Sequence, residues 1–414
     1  MTTRTGTILD PLTTLTDELG VLSVYLDARP TRIAAQRPEW EVELRKALGQ
    51  LRERVKDEHD HATWAAIHAA LDGLEDELAA LVDQESPGRG RALFAALSTG
   101  EVRTFRLQVE LPDAVALEER AHLAPLVAAL DEAQPVGILN VARDGVRVVD
   151  HAFGEAEEVD FLEFDEDTSE WRRKKGTSGH NPALGTPGGG GGTSGGGPST
   201  GPMYQQSGSD QRDRFNRKLE DHQIRFVSHL GPHIADLARE REWGYVVLVG
   251  DPRLTRPLQE GLPPNTPFTV LPVEGTFEWQ RPHDLAAHVL PHVTEARRAE
   301  EMRLVEEARA HVAAGGPGYT DLEAICNALF QGRVATLLLS HGRTWEGVRA
   351  PDGRVAPAGH VPAGVDPADL RPAPDLAERM LEMALDTSAR ALVVEDEAAA
   401  ALDEVGGAAA ILRW

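Results

Sequence analysis

Cysteine is almost absent from this chain. The single Cys326 has no partner for an internal disulfide. It lies in the apolar-periodic stretch LEAICNALF, which marks a buried thiol and not a nucleophile. Long apolar runs are also missing: no stretch of about 18 apolar residues occurs, so no transmembrane helix and no membrane partner are expected. The first residues, MTTRTGTILDPLTTLTDELG, lack the apolar segment of a signal peptide, which points to the cytoplasm. Positive charge is scarce, with 42 Lys and Arg against 67 Asp and Glu and a net charge of −25. That balance excludes the broad basic surface on which nonspecific DNA or RNA binding depends. Most of the carboxylates read as a solubilising surface, so a local exception carries more information than the mean.

The familiar catalytic signatures are missing too. GTPGGGGGTSGGGPSTG contains neither a P-loop pattern nor a G-x-G-x-x-G after a strand, so no nucleotide cofactor is expected. His59 and His61 are two residues apart and do not share a helix face. HLGPH and HDLAAHVLPH come without cysteines or an H-E-x-x-H pattern, so no metal is expected. No G-x-S-x-G elbow is present, and any catalysis is expected to proceed without a titrating nucleophile. No fixed-period repeat is visible, which excludes a solenoid.

What is present is a chain of 414 residues, 41% hydrophobic and 26% charged, enough for two or three domains with real cores. The first expected unit, 1–134, opens with the strand VLSVYLD, continues as a long helical stretch from Trp40 to Val82, and adds the strands ALFAAL and VRTFRLQV. The second, 135–312, begins with a hairpin predicted at Asp144-Gly145 between apolar runs. Acidic EAEEVDFLEFDED and basic WRRKKG follow, then a glycine-rich tract with nothing to form a core, read as a mobile loop over 176–209. A helix is expected from Asp210, restarting at Gly231-Pro232. YVVLVGD reads as a strand inside a parallel sheet, PFTVLPV as another, and Pro282 to Val312 as a long polar helix. The third unit, 313–414, alternates helix, strand VATLLLS, helix, strand ALVVED, helix and strand AAILRW, a small α/β sandwich. The fold class is therefore α/β in three domains.

The basic exception sits at the ends of the uncharged loop. Between Trp171 and Lys218, eight basic residues face two acidic ones: Arg172, Arg173, Lys174 and Lys175 before the loop, Arg212, Arg214, Arg217 and Lys218 after it. Closing the loop would bring the two clusters together as a phosphate-binding foot. The alternative is a set of solvated side chains, some paired with Glu220 and Asp221.

The strand VLSVYLD, the glycine-rich loop running into SDQRDRFNRKLEDH, and the tail LEAICNALFQGRVATLLLS with GGAAAILRW resemble one group. It is the bacterial and archaeal branch of proteins similar to archaeo-eukaryotic peptide chain release factors, which includes Vms-like peptidyl-tRNA hydrolases. The resemblance implies an RNase H-like middle domain whose loop carries a glutamine motif into the peptidyl-transferase centre of the large ribosomal subunit. There it would help water hydrolyse the peptidyl-tRNA ester, so the expected partners are the ribosome and tRNA. It also implies a C-terminal domain similar to ribosomal-protein-type RNA- or protein-binding folds. No Gly-Gly-Gln is present. Matching Arg214-Phe215 to the family's Arg-aromatic pair puts Gly208-Ser209-Asp210 at the triplet and Gln211 one place later, as in the spaced Vms-like arrangement. Gln211, Gly208 and Gln206 are the implied catalytic residues, with Gln205 nearby. No Asn-Ile-Lys-Ser motif occurs, so stop-codon decoding is not expected. An amide can orient water and stabilise a developing oxyanion without a useful pKa. Two readings stay open beside it: a non-hydrolytic ribosome-binding factor of stress or hibernation, and an acidic interaction scaffold.

Overall fold

The computed structural model describes residues 4–28, 39–83, 86–164, 207–275, 277 and 280–414. Helix α1 (Arg4–Thr13) leads into β1 (Thr16–Asp27), which pairs antiparallel with β2 (Gly90–Ala96) and β4 (Ala114–Arg120). Adding β3 (Glu101–Leu107) gives the sheet order β3-β2-β1-β4. Side chains alternate across a strand. In β1, Leu22, Val24 and Leu26 enter a core with Trp40, Leu51 and Ile67, while Val21 and Tyr25 enter a second core on the other face. Burial on both faces explains why VLSVYLD is nearly continuously apolar. The helical stretch expected over 40–82 consists of three helices: α2 (Glu39–Glu58), α3 (His61–Asp72) and α4 (Glu75–Val82). The break is chemical, since the Asp60 carboxylate accepts the amides of Ala62 and Thr63 at 2.8 and 3.0 Å and starts a new helix.

Helix α5 (Ala124–Glu132) leads to the middle sheet, built from β5 (Val136–Val141), β6 (Gly145–Ala152), β7 (Glu155–Glu163), β8 (Tyr245–Gly250) and β9 (Thr269–Glu274). The order is β7-β6-β5-β8-β9. Strands β7, β6 and β5 run antiparallel, each to the next, while β5, β8 and β9 run parallel, the arrangement expected of an RNase H-like sheet. The hairpin forms at Asp144-Gly145. The acidic stretch is itself the edge strand β7, whose outward carboxylates discourage pairing with another chain. One face is covered by α6 (Ser207–His229), α7 (Gly231–Arg241) and α8 (Pro252–Glu260), over Leu139, Val148, Val246 and Leu248. The other is covered by α9 (Pro282–Ala313), over Ile138, Val149, Val247 and Val249. Gly137 is required at this sheet: a Cβ there would lie 2.2 Å from the Trp243 ring.

The last part holds β10 (Gly318–Tyr319), α10 (Leu322–Phe330), β11 (Val334–Ser340), α11 (Leu376–Asp386), β15 (Arg390–Val394), α12 (Asp396–Asp403) and β16 (Ala408–Leu412), with sheet order β10-β16-β11-β15. Helices α10 and α11 share the core of the second face of β1, where Ile325, Leu329, Met380 and Leu381 meet Tyr25, Phe94 and Leu126. Helices α9 and α12 cover the opposite face through Leu304, Val305 and Leu402. Cys326 is buried here, and burial pushes its thiol up to about 12. A small sheet of β12 (Gly347–Arg349), β13 (Val355–Pro357) and β14 (Arg371–Ala373) fills a stretch with no periodic sequence signal. The molecule is thus mixed α/β with several sheets. Among the described residues no helix is long and apolar enough to cross a membrane.

Candidate functional site

In open sheets with parallel strands, ligands collect in the crevice outside the carboxyl ends of those strands. Here that crevice opens at the ends of β5 and β8, beside α6. Asn140 is the lone polar residue of VGILNV and is 3% exposed. Its Nδ2 donates to the Phe277 carbonyl at 2.8 Å. After β8, Asp251 accepts the Arg253 amide at 2.9 Å and Pro252 occupies the first helical position, which together start α8. That backbone N–H holds the Asp251 carboxyl below its usual range, burial opposes it slightly, and the Arg253 side chain adds to the lowering.

The Arg253 guanidinium spans two elements, 3.1 Å from Asp251 and 3.3 Å from Glu220 on α6. Gln223, one turn further along α6, donates from Nε2 to the Arg143 carbonyl at 2.9 Å. These groups and Leu219, Leu254 and Phe277 line a cavity of about 480 Å³. Gly275 keeps it open, because a Cβ there would fall 2.3 Å from the Phe277 ring.

The residues expected from sequence fall around the start of α6. Gln206, Arg172, Arg173, Lys174 and Lys175 lie outside the described residues. Gly208, Gln211, Arg212 and Arg214 are in the first turns of the helix by backbone, and Arg217 and Lys218 are exposed on it. At 1.5 Å per residue, Gln211 is about 14 Å along the axis from Glu220 at the cavity. Sequence reasoning did not find Asn140, Arg143, Gln223, Asp251 or Arg253. Two signals were available: an asparagine inside a buried strand, and the Asp-Pro pair after YVVLVG. Among the described residues, no group of three or more His, Cys, Asp or Glu could hold a metal ion.

A buried charged junction lies apart from this crevice, between β4 and α5. Glu378 of α11 is fully buried, and its carboxylate accepts the amides of Leu123 at 2.5 Å and Ala124 at 3.0 Å, the open N-terminus of α5. The His122 ring is 3.3 Å from Glu378 and 3.5 Å from Glu118. Its backbone is fixed as well, the amide donating to Ser23 Oγ and the carbonyl accepting from the Tyr25 hydroxyl. Arg379 pairs with Glu118 and with Glu382, and Arg120 lies 2.9 Å from Asp386. Burial works to lower the His122 pKa, but the hydrogen bond and charge of Glu118 and the charge of Glu378 outweigh it and raise the imidazole to about 9. Burial drives Glu382 up to about 7 against the pull of Arg379 and Arg120.

Against known proteins, the family model of bacterial archaeo-eukaryotic release factor family 10 matches residues 122–298. The resemblance read from the sequence is therefore found from His122 through the middle sheet to about the midpoint of α9. Among solved structures, the archaeal translation termination factor aRF1 is similar at 18% identity, covering 99% of this chain and 97% of that one, with a TM-score of 0.24. The Saccharomyces cerevisiae protein Dom34, a translation termination-like factor, is similar at 10% identity over 78% of this chain and 79% of that one, with a TM-score of 0.38. Ribosome-bound archaeal Pelota is similar at 12% identity over 98% and 94%, again with a TM-score of 0.38. No curated protein sequence matches the chain.

Proposed function

We propose, from the premise that residues 122–298 form a segment of bacterial archaeo-eukaryotic release factor family 10, that the protein is a ribosome-associated peptidyl-tRNA hydrolase. It would free nascent peptide from tRNA on stalled ribosomes. The observation that carries this reading is the extent of the match, whose bounds enclose the stretch holding Gln206, Gly208 and Gln211 and the whole of α6. The chemistry asked of that stretch is modest. Ester hydrolysis needs a water held in line with the carbonyl carbon and a donor for the developing oxyanion. Gln211 would orient the water. Arg212, Arg214, Arg217 and Lys218, one to two turns along, would hold phosphates, joined from the other end of the loop by Arg172, Arg173, Lys174 and Lys175.

One observation favours a second reading, a non-hydrolytic ribosome-binding stress or hibernation factor. Gly208 and Gln211 both lie within α6, where the helical ladder takes the Gln211 amide as donor to the Ser207 carbonyl. That backbone N–H is then not free to bind a water or an oxyanion. The two readings part in one experiment on purified protein and large subunits bearing peptidyl-tRNA. The hydrolase reading expects co-sedimentation that high salt abolishes, together with release of peptide. Co-sedimentation without release leaves the second reading, and neither outcome leaves both without support.

A further inference from the structure

We infer that Arg253 is a positioning residue: by bridging Asp251 and Glu220 it fixes the direction in which the first half of α6, and with it Gln211, projects from the middle sheet. Helices α6 and α8 lie side by side and run the same way. Arg253 at the start of α8 is 3.3 Å from Glu220, and about two turns further along both helices Gly261 meets Ser228. At that far end the two are locked backbone to backbone. A Cβ on Gly261 would lie 2.2 Å from the Ser228 carbonyl oxygen, and one on Gly231 would lie 1.8 Å from that of Gly261. Val227 is fully buried in the same core, where Ile224 and Phe226 also pack. Helix α8 begins at Pro252, so it runs out beside Glu220. The stretch of α6 from Ser207 to Leu219 continues past it for about 20 Å.

An overhanging helix multiplies looseness at its last tie. At 1.5 Å per residue, Glu220 is about 10 Å along the axis from Val227 and Gln211 about 24 Å. Any play at Glu220 is therefore more than doubled at Gln211. Where reacting atoms must be aligned, a shift of about 1 Å slows the reaction severely. Two polar ties restrain that play. The Arg253 guanidinium is shared between Glu220 and Asp251, and Asp251 is itself fixed as the cap of α8. Gln223 donates to the Arg143 carbonyl in the turn between β5 and β6. Arg253 and Glu220 meet at the surface, so their pair adds little to folding stability. Its part is to choose among the directions open to a helix whose far end is already fixed. The inference rests on the hydrolase reading only for its consequence in catalysis.

Spin-label distances in the whole protein test it without any ribosome, so its failure and that of the hydrolase reading are separable. Labels are placed at Arg217→Cys on α6 and Glu240→Cys on α7, both exposed positions, while the buried Cys326 stays unlabelled. The distribution of distances between them is expected to be narrow with Arg253 in place. Arg253→Ala should about double its width at a nearly unchanged melting temperature, and adding Gln223→Ala should widen it further. Exchanging the charges, Glu220→Arg together with Arg253→Glu, should narrow it again by rebuilding the bridge with its ends reversed. In peptide release by the unlabelled protein, Arg253→Ala should lower kcat by about fivefold, the most by which an exposed pair shifts a population. It should leave KM for the ribosomal complex unchanged, and the charge exchange should restore the rate. Absence of release from the wild type would count against the hydrolase reading alone, and the distances would still decide the inference. An unchanged width in Arg253→Ala, a width that the charge exchange does not narrow, or an unchanged kcat in Arg253→Ala of a releasing protein would overturn it.

Discussion

His122 is a charged histidine in a place that would ordinarily keep one neutral. Burial alone favours the uncharged ring, and the carboxylates of Glu118, Glu378 and Asp375 reverse that preference. The sign of the pH dependence follows. Its folded pKa of about 9 lies above the ordinary value of 6.5, so its stabilisation is complete below about pH 6.5 and is lost as pH rises through 9. Linkage puts the size at about 3 kcal/mol. Denaturant unfolding at rising pH should show this loss in the wild type and a flat response over the same window in His122→Gln. Glu382, raised from 4.5 to about 7, works in the same direction at lower pH, stabilising most below about 4.5 and least above 7. A second residue of the junction gives a sharper test. Glu378→Ala would leave the amides of Leu123 and Ala124 without their acceptor and remove one of the carboxylates that face His122. An equilibrium unfolding curve should register a loss of about 3 kcal/mol or more.

Helices α6 and α9 play opposite parts as elements. Helix α6 carries the arm residues, and its tie to α8 through Arg253, Glu220 and Asp251 is exposed. Exposed pairs contribute little, so Arg253→Ala should cost less than about 1 kcal/mol in a thermal or denaturant melt. Helix α9 is a spine of 32 residues. Its first half packs on the middle sheet through Leu285 and Val289 and its second half on the last sheet through Leu304 and Val305. Sequence and structure agree best where one periodicity covers a whole element. YVVLVGD and the long polar helix were legible for that reason. The acidic edge strand β7 was not, because its carboxylates are outward residues of a strand and mask its alternation. The sheet β12 to β14 was not legible either, since strands of three residues are too short to show a period. The expected arm over 176–206 lies outside the described residues, and the crevice was not legible, because β5, β8 and α6 converge only after the sheet is assembled.

At the scale of the whole molecule, the first and last sheets share one core although nearly 200 residues separate them in the chain, as Phe94 and Met380 show. Met380 is fully buried there, so Met380→Ala should cost about 2–5 kcal/mol. It should also lower amide protection in β1 and β2 as much as in β11, which hydrogen exchange would measure. Loss of protection confined to β11 would mean that the two ends unfold independently. This fused frame presents the middle sheet, the stretch 122–298 that the family 10 model matches, and the basic root of α6 on an otherwise acidic body of net charge −25. The central claim is that this assembly hydrolyses peptidyl-tRNA through a glutamine on the arm. Peptide release from stalled large subunits, measured with the wild type, Gln211→Ala and Gln206→Ala, tests it most directly. The account predicts release by the wild type, a fall of about a hundredfold or more in Gln211→Ala, and a smaller change in Gln206→Ala. Release that survives Gln211→Ala unchanged, or no release by the wild type, would contradict it.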